Sequence, residues 1–353
     1  MRPTLGYFAV HGQGLGHATR AVALARGLQA ARPGLSFLFL GGSPALDLVI
    51  ASGFDAMPLP PTPDWPAKDG VLGPVWRWYV DYARYVRVAS RFLERDSDWT
   101  DCRFLISASE FASARVAMRR RVPVALVLHG MRHAFARDIV SRAVEAAGNA
   151  WFSRVARKAD LVLTSDDPPP WPNARTIGPI ARPFSRTREQ LREDFVFRKR
   201  TILVTAGGTA IGRFLVDAAI LAFQELRLDD TSMVVVGGPR LKVPSTPGVY
   251  AYGFIPNLHD MILAADLVVT TAGRSTVTEA LAAGTPIIAI PPEGHAEQEA
   301  IARGLGYVHA DVGRMRDLIV EKLAAPRGEP KQSDLGRAVA YLSDFLDGVG
   351  DRS

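Results

Sequence analysis

Three glycine-centred turns hold the residues of this 353-residue chain that are best suited to chemistry, and each follows a short apolar run. The first, His11-Gly12-Gln13-Gly14-Leu15-Gly16-His17, leaves the run 5–10 and opens a helical pattern. Glycines let the backbone turn tightly and come close to a ligand, and a helix start offers free N–H groups to negative charge. His17 stands where a dinucleotide fingerprint has its third glycine, and Gly41-Gly42 rather than an acidic residue ends the second run, so nicotinamide binding is not expected. The second turn, Thr205-Ala206-Gly207-Gly208-Thr209, mirrors the first and could hold phosphate oxygens through its amides and the Thr209 hydroxyl without a metal. The third is Ala272-Gly273-Arg274-Ser275-Thr276, with Glu279 one turn on and Gly294-His295-Ala296-Glu297-Gln298 further along. Its order predicts a strand left at Thr271, a turn at Gly273 and a helix entered at Ser275, whose first amides suit a diphosphate. Arg274 can add a charge-assisted contact, and the Glu279 carboxylate can accept two bonds from a ribose diol. Alternatively, Ser275 caps the helix and Glu279 completes a capping arrangement.

The elements that must position these turns alternate between short β-rich runs and longer helical patterns, which is the signature of parallel sheets covered by crossover helices. Strands are expected at 5–10, 36–40, 103–107, 122–128 and 161–164, with helices near 18–30, 75–95, 110–120 and 135–157. A proline-rich, charged stretch, 166–200, reads as an interdomain linker. A second series follows, with strands at 201–205, 233–236, 249–252, 267–270 and 287–290 and helices at 211–226, 258–264, 276–283 and 297–305. A polar break at 326–332 precedes an amphipathic helix at 335–346. The expected architecture is α/β: two doubly wound, Rossmann-like parallel-sheet domains, 1–165 and 201–330, facing a cleft at the carboxyl ends of their strands.

Composition bounds the function. With 48% hydrophobic and 22% charged residues the chain is an ordinary globular one, and its single cysteine, Cys102, makes a reducing, cytoplasmic setting the default. No stretch approaches the roughly 20 apolar residues of a membrane span. The net charge of +6 is concentrated in residues 1–165, with 21 Lys and Arg against 13 Asp and Glu. Within that half Trp65, Trp76, Trp78, Tyr79, Tyr82, Tyr85 and Trp99 interleave with Arg77, Arg84, Arg87 and Arg91. They suit either an amphipathic surface for an anionic membrane or lipid-linked acceptor, or aromatic faces packed inward with arginines in water. No nucleic-acid-binding module is recognised.

From Gly253-Phe254-Ile255 through Gln298 the chain resembles the donor-binding signature of GT-B glycosyltransferases, of the family 28 and family 1 type, including the enzyme that completes lipid II. The Gly14-Leu15-Gly16-His17 loop, with Arg20 after it, is similar to the acceptor-side loop of the same superfamily, and the final helix (333–349) to the one that crosses back onto the N-terminal domain. The resemblance implies that the Phe254-Ile255 backbone reads the base of a nucleotide-sugar donor and Glu279 its ribose. Ser275 and Thr276, with Gly207, Gly208 and Thr209, would hold the diphosphate, and Glu297 and Gln298 the sugar. Uridine is the family's commonest base, so a UDP-sugar is favoured. Arg274 and Glu299 depart from the family pattern, at positions that bear on phosphate handling and sugar identity. The retaining enzymes' pair of glutamates eight apart is missing, since Thr271 precedes Glu279 by eight, so inversion is expected. Asp96-Ser97-Asp98 matches the Asp-x-Asp of metal-dependent enzymes in letters only, and no metal is expected.

Inversion needs a base for the acceptor hydroxyl. His17, whose imidazole titrates near pH 6.5, and Glu110, just past the strand at 103–107, are the two candidates. Glu110 could instead cap a helix and His17 orient substrate; His129 and His133 also lie near a strand end. A nucleotide-sugar 2-epimerase of the same fold and a non-catalytic nucleotide-binding protein are the rival functions.

Overall fold

The computed structural model describes residues 4–130, 132–165, 171–208, 210–239, 241–244 and 246–350. The chain opens with β1 (Thr4–Val10), α1 (Gly16–Ala31), β2 (Leu35–Gly41), α2 (Ala45–Ala51) and β3 (Asp55–Pro58). A short antiparallel hairpin follows, β4 (Ala67–Lys68) and β5 (Val71–Leu72), then α3 (Trp76–Asp96), β6 (Leu105–Ala108), α4 (Phe111–Arg119), β7 (Val124–Leu128), α5 (Ile139–Ala156), β8 (Leu161–Thr164) and β9 (Ala174–Thr176). Beyond α6 (Arg188–Asp194) come β10 (Arg200–Thr205), α7 (Arg213–Leu226), β11 (Thr231–Val236), β12 (Val249–Tyr252), α8 (Leu258–Ala264) and β13 (Leu267–Thr270). The chain closes with α9 (Arg274–Ala283), β14 (Ile287–Ala289), α10 (Ala296–Gly304), α11 (Met315–Ala324) and α12 (Leu335–Gly350).

Two compact units result. The first is Met1–Pro66, Pro74–Ile180 and Ser333–Ser353, and the second Ala67–Gly73 and Ala181–Gln332. The first is built on a parallel sheet in the order β3-β2-β1-β6-β7-β8-β9, the second on a parallel sheet in the order β12-β11-β10-β13-β14. β6, β7, β8 and β13 are buried along their whole length, which is why they read as unbroken apolar runs rather than alternating ones. Strand order reverses between β1 and β6 in one sheet and between β10 and β13 in the other. At such a switch point the two chains leave in opposite directions and open a crevice at the strands' carboxyl ends. All three glycine turns sit there: after β1, after β10 and after β13.

The stretch 166–200, expected as a linker, contains the passage between the units at Ile180–Ala181 and regular structure on either side of it. Residues 166–170 lie outside the described ones, but Ala174–Thr176 add an edge strand to the first sheet and Arg188–Asp194 form a helix of the second unit. Thr187 caps α6 through a reciprocal capping box with Gln190, and Leu191 is buried. Each of these two elements buries a single residue, so neither stands out as an apolar run; tertiary contact orders them.

The final helix, α12, belongs to the first unit and lies on α1. Arg32 pairs with Asp347 at 2.6 Å and donates to the Ser343 carbonyl at 2.9 Å. Gly27 permits the approach, since a Cβ there would fall 2.6 Å from Cγ2 of Val339. Leu342 is fully buried in this contact, so Leu342→Ala should destabilise the first unit by about 2–5 kcal/mol. Urea unfolding followed by circular dichroism measures the loss; an unchanged midpoint would show that α12 contributes no stability.

Candidate active site

In the second unit, β13 hands the chain to α9 through Thr271, Ala272 and Gly273. Ala272 is buried with φ at 62°, a left-handed conformation that costs a non-glycine residue about 1–3 kcal/mol. The helix begins at Arg274, one residue earlier than expected, and its N-cap is Gly273. Glycine has no side chain to accept from the first amides, and α9 has no side-chain cap. Ser275 therefore lies inside the first turn and is not the cap. The neighbouring α10 differs, because its His295 ring accepts from the Gln298 amide at 3.5 Å.

Glu279 completes no capping arrangement either. It is buried and gripped by Arg182, whose Nε donates to Oε1 at 2.7 Å and Nη2 to Oε2 at 3.2 Å. Nη1 of the same guanidinium donates to the Pro256 carbonyl at 2.6 Å, next to Phe254-Ile255. A fork-to-fork pair of this kind fixes the carboxylate's direction as well as its charge. Arg182 escaped the sequence reading because it lies in the stretch taken for a linker. The signal that could have found it is a lone arginine set among Gly178, Pro179, Ile180, Ala181 and Pro183.

The loops behind β10, β11 and β12 meet backbone to backbone. Gly237 and Gly238 donate to the carbonyls of Tyr252 and Gly253 at 3.0 and 3.1 Å. A Cβ on Gly238, whose φ is 73°, would fall 2.2 Å from the Gly207 carbonyl oxygen, so only glycine permits this approach. Gly208 is buried, Phe254 and Ile255 are half-buried, and Ile255 packs on the unit's core. Thr209 lies outside the described residues.

After β14 the loop carries Glu297 and Gln298 into the first turn of α10. Glu297 accepts from Arg274 Nε at 2.8 Å, and Oε1 of Gln298 is buried with no hydrogen-bond partner among the described residues. Glu299 is spent on the loop itself, accepting from the Gly294 amide at 2.6 Å. The β4–β5 hairpin, unforeseen in the sequence, braces this loop: Leu72 donates to the Glu293 carbonyl at 2.8 Å, and Glu293 to that of Gly70 at 2.7 Å.

The first unit gathers histidines behind β1 and β7. His11, at the end of β1, donates its amide to the Ala108 carbonyl at 3.1 Å. Gly14 turns with φ at 73°, α1 starts at Gly16, and Leu15 at the N-cap provides no side-chain acceptor. The His17 ring lies 5.5 Å from that of His11 and 4.9 Å from that of His129. Arg20, buried, donates Nη1 to Nδ1 of His129 at 2.8 Å. A guanidinium only donates, so His129 is neutral there and carries its proton on Nε2. Burial lowers the His17 pKa well below 6.5, and His11, Arg20 and His133 lower it further. His133 belongs to a separate network, with Nδ1 3.1 Å from the Tyr79 hydroxyl, which also donates to Glu145 at 3.4 Å.

Glu110 is the N-cap of α4. Its carboxylate accepts from the Ala112 and Ser113 amides at 3.2 and 2.7 Å and from the Tyr85 hydroxyl at 3.0 Å, and it is wholly buried. Burial raises its pKa against the pull of those donors. The aromatic segment also turns inward: Trp78, Tyr79, Tyr82, Tyr85 and Trp99 are buried, with Trp78 stacked between Trp65 and Tyr82, while Arg77, Arg84, Arg87 and Arg91 face water. Of the two readings offered by this segment, α3 takes the inward one: one helical stripe carries the rings and the opposite one the charges. Asp96 and Asp98 are exposed at the end of α3, and Asp98 accepts from the Thr100 amide. Among the described residues no group of three or more His, Cys, Asp or Glu is arranged to hold a metal ion, and no helix is long and apolar enough to cross a membrane.

Residues 201–317 match the family described as glycosyltransferase family 28 C-terminal domain. A UDP-N-acetylglucosamine–N-acetylmuramyl-(pentapeptide) pyrophosphoryl-undecaprenol N-acetylglucosamine transferase of Clavibacter michiganensis subsp. michiganensis is 27% identical over 98% of this chain and 92% of its own. An uncharacterized glycosyltransferase of Methanosarcina acetivorans is 28% identical over 82% of this chain and 78% of its own. Among solved structures, the Streptomyces sp. SF2575 glycosyltransferase SsfS6, complexed with thymidine diphosphate, superposes with a TM-score of 0.58 at 17% identity, covering 97% of this chain and 99% of that one. The two parallel-sheet units and these relatives make the protein a glycosyltransferase of GT-B fold. More particularly, the match to the family 28 C-terminal domain falls within its second unit.

The histidine cluster has a consequence for stability. Burial takes the His11 pKa from 6.5 down to about 4. The unfolded chain gains that proton as pH falls below 6.5, whereas the folded chain resists it until about 4, so stability is full above pH 6.5 and is lost through this window. About 3 kcal/mol is at stake. The melting temperature should drop between pH 7 and pH 4.5 more steeply in wild type than in His11→Asn, and equal slopes would place the titration elsewhere.

Proposed function

We propose that the protein is an inverting glycosyltransferase that moves a sugar from a UDP-sugar to an acceptor hydroxyl without a metal. The observation that carries this is the uncapped start of α9 at the switch point of the second sheet, with Glu279 held in the same helix. Amides of Ser275 and Thr276, with Gly273, Gly207, Gly208 and Thr209, hold the diphosphate, and Arg274 adds charge. The backbone at Phe254-Ile255 reads the base. Glu279, aimed by Arg182, keeps lone pairs for the ribose hydroxyls, since a carboxylate offers about four acceptor sites. Glu297 and Gln298 take sugar hydroxyls.

As the acceptor oxygen attacks the anomeric carbon, its proton passes to the base, and the bond to the diphosphate oxygen breaks with inversion. The departing negative charge falls on amides and Arg274, which are already in place. His17 is the better base. It follows the Gly14–Gly16 loop directly, its buried Nδ1 has no hydrogen-bond partner among the described residues, and its lowered pKa keeps the imidazole neutral. Glu110 is enclosed and its oxygens are committed to three donors.

The acceptor we infer is lipid-linked, met at the cytoplasmic membrane face. The name of the Clavibacter relative supports this, as do Ile139 and Val140, which stand 84% and 58% exposed at the start of α5 beside exposed Arg137 and Arg142.

A thermal-shift panel of nucleoside diphosphates and nucleotide sugars tests the donor. A true ligand at 100 times its dissociation constant stabilises by about 2.7 kcal/mol, and UDP-sugars should give the largest shift. A panel with no response would end the proposal, whereas a larger shift with thymidine compounds would correct only the base. His17→Ala should lower kcat by about 10²–10⁴ while nucleotide-sugar binding survives, and the acid limb of the wild-type kcat/KM profile should lie below pH 6.5. Glu110→Gln should chiefly cost stability; if it abolishes turnover instead and His17→Ala does not, the two roles are exchanged.

A further inference from the structure

Two side chains expected to serve different parts of the donor are, in the structure, each other's partners. Arg274 is the first residue of α9 and Glu297 lies in the first turn of α10. Nε donates to Oε1 at 2.8 Å, and 30% of the Arg274 side chain and 32% of that of Glu297 face solvent. Arg274 is thus the cation at the uncapped helix start, and a carboxylate already occupies it. The pair engages Nε, and a phosphate oxygen brought to the other guanidinium nitrogens arrives beside an uncompensated part of the Glu297 charge.

We propose that Glu297 competes with the donor diphosphate for Arg274, and that the attached sugar relieves the competition by giving Glu297 hydroxyl groups to accept from. This rests on the donor site proposed above. A half-exposed ion pair is worth about 1 kcal/mol or less, or about fivefold in an equilibrium constant at most, so a diphosphate displaces it readily. The displaced carboxylate then stands near two phosphates of its own sign. With a bare nucleoside diphosphate nothing compensates it. With a nucleotide sugar, sugar hydroxyls donate to it, and to the buried Gln298 Oε1 next to it, which has no partner among the described residues. Both acceptors at the start of α10 are satisfied only when the sugar is present. The site therefore favours loaded donor over spent nucleotide, which helps product leave. The coupling is reciprocal by linkage: whatever holds Glu297 strengthens the grip of Arg274 on phosphate.

Isothermal titration of wild type, Glu297→Gln, Arg274→Met and the double variant with UDP and with UDP-N-acetylglucosamine tests this, the thymidine pair being substituted if the shift panel selects it. Glu297→Gln should bind UDP about two- to fivefold more tightly and UDP-N-acetylglucosamine no more tightly, so that the preference for loaded donor shrinks. Arg274→Met should lose more UDP affinity in the Glu297→Gln background than in wild type, because the arginine is fully available to phosphate there. Since both side chains are partly exposed, ligand-free melting of all variants should stay close to wild type. Unchanged or weaker UDP binding by Glu297→Gln overturns the competition, because Glu297 would then merely position the arginine. Wild-type protein that binds neither nucleotide of either pair overturns the donor site itself, and this inference with it.

Discussion

A parallel strand must pass its chain to a crossover helix, and a helix start leaves amides that need an acceptor. At the switch points of both sheets the N-cap residue supplies no side-chain acceptor. Leu15 before α1 and Gly273 before α9 bring no side-chain oxygen, whereas Glu110 and His295 close the starts of α4 and α10. Two helix ends with positive partial charge thus lie where strand order reverses without a capping side chain, and a diphosphate is the natural complement of such an end. Everything else in the second unit's site is arranged around this helix start. Strain at Ala272 sets the turn, glycines let the adjoining loops approach, and the hairpin braces the loop of Glu297.

Buried charge is treated in opposite ways in the two units. Arg182 and Glu279 are both removed from water, and removal of either would leave an uncompensated ion, so the pair is retained as a unit and orients a carboxylate. His11 and His17 of the first unit are kept neutral chiefly by burial, with Arg20 adding to the effect at His17, so that an imidazole lone pair persists at low cost in charge. One device fixes a direction and the other holds a proton acceptor ready.

How legible all this was varied with length and with contact. Unbroken apolar runs such as 124–128 and 267–270 announced buried parallel strands, because both of their faces are covered. Edge strands β3 and β9 did not, since each is largely in water and carries no unbroken apolar run. Glu110 could be placed beside a strand end from the sequence. That it caps α4 and is sealed from solvent depended on Tyr85, 25 residues away, and on the packing of α3. The aromatic residues of α3 read equally well as surface or core, because their spacing defines a stripe but not the side on which the stripe lies.

The sequence by itself determined that there are two alternating α/β series, that glycine turns follow their first strands, and that a charged motif near Gly273 opens a helix. These are local properties, written in periodicity and in the conformations that glycine allows. Only the tertiary structure decided who partners whom: Arg182 with Glu279 across 97 residues, Arg20 with His129 across 109, and a hairpin from residues 67–72 with the loop at Glu293. Such pairings follow from strand order and loop approach, and a charge cannot announce its partner until desolvation has made a partner necessary.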